Sequence, residues 1–275
     1  MKLGKIWAVY FSGTGTTRRT VERIARGIAS RLNLPAESVD FSRPAVRQET
    51  LGFGEKDLVV FGTPVYAGRV PNVLLPFLRE RIVGGGALAV PVVLFGNRNY
   101  DDALIELRNI LAADGMHPIA AGAFVGEHSF SRVLGANRPN AEDEALMDEF
   151  AARVAALAAG LDATPVKSVA VRGQEPLRPY YTPRDRAGNP INILKVKPKT
   201  DMSRCGGCGL CANLCPMGSI DPTDVSAVRG ICIKCCACVK GWPTGAKFFD
   251  DAGYLYHQHE LEAQYARPAE NALFV

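Results

Sequence analysis

All eight cysteines of this chain of 275 residues lie between Cys205 and Cys238. Cys205, Cys208, Cys211 and Cys215 read C-x-x-C-x-x-C-x-x-x-C, with Pro216 next; the C-x-x-C-x-x-C half recurs at Cys232, Cys235 and Cys238. Loops this short bring three thiolates onto one face of an iron–sulfur cube. Gly206, Gly207 and Gly209 leave room for backbone N–H groups to face the sulfides. Other uses of paired cysteines fit less well. A disulfide framework belongs to short secreted chains. A zinc site explains C-x-x-C pairs, but not a tripled run that repeats.

From Cys205 to Pro243 the chain resembles the two-cluster bacterial ferredoxins. In that pattern the fourth cysteine of a run ligates the other cluster. The resemblance implies one complete set, Cys215, Cys232, Cys235 and Cys238. The other set, Cys205, Cys208 and Cys211, expects its fourth ligand at position 242, where Trp242 stands. An indole has only an N–H donor and cannot bind iron. Seven cysteines thus occupy ligand positions and Cys236 is spare. The incomplete set is expected to hold [3Fe–4S], or [4Fe–4S] with one iron on water or another ligand. Capture of Cys236 and a single remaining cluster are the other outcomes. Cys236 reads most simply as a small buried hydrophobe.

The chain is long enough for a sizeable core in one or two domains. Its 47% hydrophobic and 22% charged residues are ordinary globular values. Net charge is +4, with no interleaving of basic and aromatic residues, so nucleic acid is not expected as a partner. The apolar run Ile6–Phe11 is too short for a secretion signal, and Ala87–Phe95 is too short to span a membrane. A cytoplasmic protein with reduced thiols is expected.

Upstream, apolar runs alternate with helical patterns. Residues 5–11 read as a strand buried on both faces. Ser12-Gly13-Thr14-Gly15-Thr16-Thr17 follows, then a helix over Arg18–Leu32 with one apolar stripe. Such a loop cradles an anion with N–H groups, a helix N-terminus and hydroxyls. It is not a Walker loop, since no Gly-Lys-Ser/Thr follows, and not a dinucleotide fingerprint, since Arg18 stands where the third glycine is needed. Further strands are expected at 38–41, 57–62, 87–95 and 119–125, with helices at 72–81, 102–113 and 142–161. The rhythm implies an α/β fold: a doubly wound parallel five-stranded sheet with its ligand at the carboxyl ends of the strands.

Ser12–Thr17 matches the phosphate loop of flavodoxins, and Gly96-Asn97-Arg98-Asn99-Tyr100 stands where that family has its third flavin loop. The resemblance implies a sheet of order 2-1-3-4-5 and FMN as ligand. Ser12, Thr14, Gly15, Thr16 and Thr17 would hold the phosphate. Pro64, Val65, Tyr66, Ala67 and Gly68 would flank the ring, with Asn97 and Arg98 beside it and Tyr100 stacked on it. Flavodoxins commonly place an acid after the glycine of that loop; here Asn97 and then the cation Arg98 follow Gly96, and a nearby cation favours anionic reduced flavin by Coulomb attraction. FSGTGTT, TPVYAGRVPN, GNRNYDDAL and CIKCCAC together resemble the flavodoxin–ferredoxin fusion family of anaerobes. Residues 1–162 would form the flavodoxin-like domain and 195–275 a small α+β ferredoxin-like domain with its tail. Trp242 departs from that family.

Residues 163–194 read as a proline-rich basic linker. Between Val166 and Arg204, Lys and Arg outnumber Asp and Glu nine to three. A solvated connector is the plain reading, and a docking face for an acidic redox partner the sharper one. Residues 191–196 read as a strand leading into the cysteine-rich part. The function expected is electron transfer between the clusters and FMN. One alternative is an FMN-dependent reductase of a small organic acceptor; another is a redox or iron sensor built on the incomplete cluster.

Overall fold

The computed structural model describes residues 2–165, 167–241 and 244–275. Trp242 and Pro243, on which the expectation of an incomplete cluster rests, lie outside the described residues.

The first half is built on β1 (Lys5–Tyr10), β2 (Ala36–Asp40), the two-residue β3 (Leu51–Gly52), β4 (Asp57–Pro64), β5 (Ile82–Val83), β6 (Leu88–Phe95), β7 (His117–Pro118) and β8 (Ala121–Val125). Helices α1 (Thr16–Leu32), α2 (Leu75–Glu80), α3 (Ala103–Ala113) and α4 (Ala141–Ala159) connect and cover them. The second half adds β9 (Lys199–Thr200), α5 (Leu210–Leu214), α6 (Ala237–Lys240), β10 (Lys247–Phe248), α7 (Ala252–Gln264) and β11 (Ala272–Phe274).

The main sheet runs β11-β8-β6-β4-β1-β2, with β7 paired to β6. The order 2-1-3-4-5 expected of the long strands is the observed β2-β1-β4-β6-β8, and these pairings are parallel. Helices pack on both faces of the sheet, so β6 and β8 are buried throughout and read as unbroken apolar runs. Two apolar clusters fill the layers. One, around Phe41, Phe61, Leu104 and Leu107, lies under α2 and α3; the other, around Ile24, Val60, Phe124 and Phe150, lies under α1 and α4. Each layer removes many apolar side chains from water, at about 25 cal/mol per Å² of area.

The partly apolar C-terminal tail packs back on the first half, and its last residues do so as a strand, β11. It pairs antiparallel with β8, Ala272 with Ala123 and Phe274 with Ala121. The Asn271 side chain accepts from Val125 N–H (2.8 Å) and donates to Asp143 (2.7 Å). Residues after the cysteine-rich stretch thus complete the sheet of the first half. Residues 191–196 are not a strand. Asn192 accepts from Leu194 N–H (3.1 Å) and Val196 N–H donates to Ile193 (3.1 Å), so local turns take the donors a ladder would need. The strand leading into the second half is β9, antiparallel to β10.

The segment between the halves is fastened at named points. Asp102 accepts from Gln174 N–H (3.0 Å) and Arg178 N–H (2.8 Å), and its carboxylate pairs with the Arg178 guanidinium. Tyr180 Oη donates to Val70 (2.8 Å), and Tyr181 N–H donates to Ala67 (2.8 Å). Arg186 pairs with Glu260 and Lys199 with Asp250, each at 2.8 Å. Much of the positive charge counted in this stretch is therefore engaged within the chain. Among the described residues, no helix is long and apolar enough to cross a membrane.

Candidate functional site

The phosphate-type loop lies at the carboxyl end of β1 and feeds α1. Gly15 is the N-cap, with φ 88°, and no side chain caps the helix. Ser12 works within the loop: its N–H donates to Ser42 Oγ (2.8 Å) and its Oγ accepts from Arg18 N–H (3.2 Å). Thr16 and Thr17 are buried, and Thr14 is exposed. Among the described residues, no hydrogen bond engages the N–H groups of Thr14, Gly15, Thr16 or Thr17. Free donors at a helix N-terminus, two buried threonines and no acid in the first turn fit a bound phosphate monoester.

Two connected cavities run from this cradle. The inner one, about 70 Å³, is lined by Gly13, Thr14, Thr16, Thr17, Pro64, Val65, Tyr66, Gly96, Glu127, His128, Ser129 and Cys235, among others. It shares Val65, Tyr66, Gly96, His128 and Ser129 with an outer cavity of about 400 Å³. The outer walls include Ala67, Gly68, Arg98, Phe130, Tyr180, Tyr181, Ile193, Cys232, Lys234 and His257. They are mostly apolar and aromatic, with two cations and no carboxylate. A flat ring with carbonyl edges fits such a lining. On its other side the cradle opens into a polar chamber of about 510 Å³, shared by Ser12, Gly15, Arg18, Arg19, Arg43, Arg132, Cys215 and Lys240.

Most of the residues expected around the ring meet here, but two do not. Asn97 turns to the tail: its amide donates to the carbonyls of Tyr265 (2.6 Å) and Arg267 (3.0 Å), and its Oδ1 accepts from Ala269 N–H (2.9 Å). Tyr100 is buried against Phe95, with ring centroids 5.5 Å apart, and lines neither cavity. Asp101, at φ 42°, turns the chain just after Tyr100. Tyr180 and Tyr181, from the segment read as a linker, line the outer cavity. Arg98 lines the outer cavity. It pairs with Asp101, which offsets part of its charge, and lies 4.6 Å from the Tyr181 ring centroid.

The loop after β8, which the reductase alternative expects beside the ring, lines both cavities through His128 and Ser129. His128 Nδ1 accepts from Phe130 N–H (3.1 Å). Burial, then the nearby Lys240 cation, push its imidazole down to about 4. Lys240, on α6, donates to the Glu127 carboxylate, His128 O (2.6 Å) and Ser131 O (2.7 Å).

The cysteines form two unequal groups. Cys215, Cys232, Cys235, Cys236 and Cys238 line one apolar cavity together with Ile220, Val228 and Phe249. That cavity gathers all four thiols of the set implied by the ferredoxin resemblance. Cys215 Sγ also accepts from Ser219 N–H (3.4 Å). Burial pushes the Cys235 thiol well up and Cys238 up to about 12. Thiols so placed become good ligands when a cation replaces the proton. Cys236, at φ 58°, is buried, and its Sγ lies 3.5 Å from Tyr254 Oη. Cys205, Cys208 and Cys211 do not line that cavity; Cys211 is buried in one small apolar cluster with Cys238, Cys205 and Cys215 pack against it, and Cys208 is exposed. Among the described residues no His, Cys, Asp or Glu group would hold a single metal ion. A cluster spaces its four thiolates over different irons.

A family model described as "Flavodoxin domain" matches residues 8–102, and one described as "4Fe-4S binding domain" matches residues 198–221. No curated protein matches the chain. Among solved structures, a flavodoxin from the domain Archaea is 17% identical, with TM-score 0.42, covering 56% of this chain and 97% of its own. The rubredoxin oxygen:oxidoreductase of Desulfovibrio gigas is 17% identical, with TM-score 0.37, covering 59% of this chain and 38% of its own. The apo form of an NADH:FMN oxidoreductase is 16% identical, with TM-score 0.39, covering 60% and 91%. A flavodoxin-domain match in the first half and a 4Fe–4S match in the second are consistent with a flavodoxin–ferredoxin fusion.

Proposed function

We propose that this flavodoxin–ferredoxin fusion passes electrons between iron–sulfur clusters in its cysteine-rich half and FMN in the paired cavities. A cluster moves one electron at a time, and FMN accepts one or two. The observation that supports this most is the shared wall. Cys235 lines the inner cavity beside Gly13 and Thr16, and Cys232 lines the outer one beside Tyr66 and Lys234. Placing both sites in one chain makes transfer intramolecular.

In this reading Thr14, Thr16, Thr17 and the N–H groups of the α1 turn hold the phosphate. Val65, Tyr66, Arg98 and Tyr181 enclose the ring and keep water from it. Cys215, Cys232, Cys235 and Cys238 hold the cluster nearest the flavin. Cys205, Cys208 and Cys211 hold the outer cluster, and exposed Cys208 marks where a redox partner approaches. The Trp242 side chain supplies that cluster no fourth ligand. Cys236, tied to Tyr254, packs rather than ligates.

A second reading, reduction of a small organic acceptor, is favoured by the outer cavity's rim. Leu194 is 80% exposed and Ile231 65% exposed, and both line the same cavity. That is an apolar entrance beside the ring site.

The test is anaerobic purification with iron and flavin quantitation, low-temperature EPR, and rapid mixing with a one-electron reductant. The reading expects cluster signals, one FMN per chain, and flavin bleaching that follows cluster reduction. Protein that is folded and iron-loaded yet takes no flavin sinks it. Steady turnover of a quinone or nitro compound without a partner protein moves the assignment to the second reading.

A further inference from the structure

We propose that His128 is a flavin-contacting hydrogen-bond donor, aimed by Lys240 from the cluster-bearing half, and that it helps set how tightly the ring is held. This rests on the FMN reading above.

His128 stands where the inner and outer cavities join, between the phosphate cradle and the ring-sized space. Its orientation is fixed from two sides. A Cβ on Gly96 would collide with the imidazole Cδ2, so the loop after β6 and the loop after β8 are in close contact there. The imidazole also meets the Phe130 ring edge-on, with centroids 5.3 Å apart.

The tautomer follows from the hydrogen bonds. Nδ1 accepts from Phe130 N–H, so in the neutral ring the proton sits on Nε2. Among the described residues, Nε2 has no hydrogen-bond partner. The edge of an oxidised flavin carries carbonyl and imine acceptors, and a fixed N–H at the cavity junction suits them. Burial keeps the imidazole neutral, so it donates without adding a full charge.

Lys240 explains why the ring is held there. All its donors are spent on Glu127, His128 O and Ser131 O, which clamps the loop from behind. Lys240 lies two residues beyond Cys238, on α6. It is a positioning residue and touches neither cavity wall described for the ring. The cluster half thereby fixes one wall of the flavin site.

The experiment titrates cluster-loaded protein, freed of flavin by dialysis, with FMN and with riboflavin, following flavin fluorescence. His128→Phe and His128→Leu should each weaken both flavins by roughly tenfold, the loss expected of one buried hydrogen bond. His128→Gln, which keeps an N–H donor, should recover most of it. Lys240→Met should weaken both flavins while leaving iron content unchanged. Either His128 variant suffices if the other does not fold. Wild-type affinity in the folded His128 variants overturns the inference, as does weakening of FMN alone, which would place His128 at the phosphate. If the wild-type protein takes no flavin, the functional reading fails instead.

Discussion

Gly13 and Cys235 are packed against each other: a Cβ built on Gly13 would stand 3.0 Å from the Cβ of Cys235 and 3.5 Å from Tyr66 Oη. One residue comes from the phosphate loop and the other from the cysteine-rich run. Gly13→Val should therefore disturb both centres at once. The expected outcome is loss of most bound flavin together with a lower iron content, read by absorbance and iron assay on the same sample. Flavin loss with full iron would mean the two sites are not mechanically joined there.

Tyr100 gives a second, opposite expectation. Its ring is buried and, among the described residues, its hydroxyl has no hydrogen-bond partner. Tyr100→Phe removes an unsatisfied polar atom at almost constant shape, which should leave stability unchanged or raise it by about 1 kcal/mol. FMN affinity should stay within twofold in a fluorescence titration. A tenfold loss would return Tyr100 to the ring.

Thiol accessibility differs between the two cysteine groups. Cys208 is exposed, whereas burial pushes Cys236 up to about 11 and Cys238 up to about 12. Alkylation needs thiolate and access. In iron-free protein at pH 8, iodoacetamide should label Cys208 well before Cys235, Cys236 or Cys238, as read by peptide mass spectrometry. Equal labelling at all positions would show that the buried pocket does not survive without iron.

Asp114 carries a pH dependence whose sign is fixed by its environment. It follows α3, one carboxylate oxygen is buried without a partner, and desolvation raises its carboxyl to about 6, with Arg79 opposing. Folding therefore favours the protonated form. The penalty is absent below the unfolded value near 4, grows between pH 4 and 6, and is complete above about 6. The side chain is partly hydrated, so the cost at pH 7 is on the order of 1 kcal/mol. Asp114→Asn should raise the urea midpoint at pH 7 and lose that advantage toward pH 4. An unchanged midpoint at pH 7 would contradict this.

The parallel sheet was legible because its central strands are buried on both faces and therefore spell continuous apolar runs, as at Leu88–Phe95. The cradle was legible because a glycine- and threonine-rich turn before a helix has few other uses. Tyr100 misled through its place in the chain: it sits next to a cavity loop, but its ring is buried against Phe95. Tyr181 was hidden in a proline-rich segment whose pattern resembles a solvated connector. Its place at the cavity rests on contacts far away in sequence, a backbone hydrogen bond to Ala67 and ring contacts with Arg98 and His257, which leave no periodicity to read. Ile191–Val196 has strand-forming side chains, but Asn192 diverts the backbone into a local turn. Lys240 looked like any surface lysine, because its three acceptors lie more than a hundred residues away in sequence.

The antiparallel strand at Ala272–Phe274 has a consequence for biosynthesis. The ribosome makes it only after the iron-binding segment, so until then the nascent flavodoxin-type sheet carries an open β8 edge. Iron insertion into the cysteine loops and closure of that edge are thus late events on the same stretch of chain. A defect in cluster assembly would leave an edge free to recruit strands from neighbouring molecules.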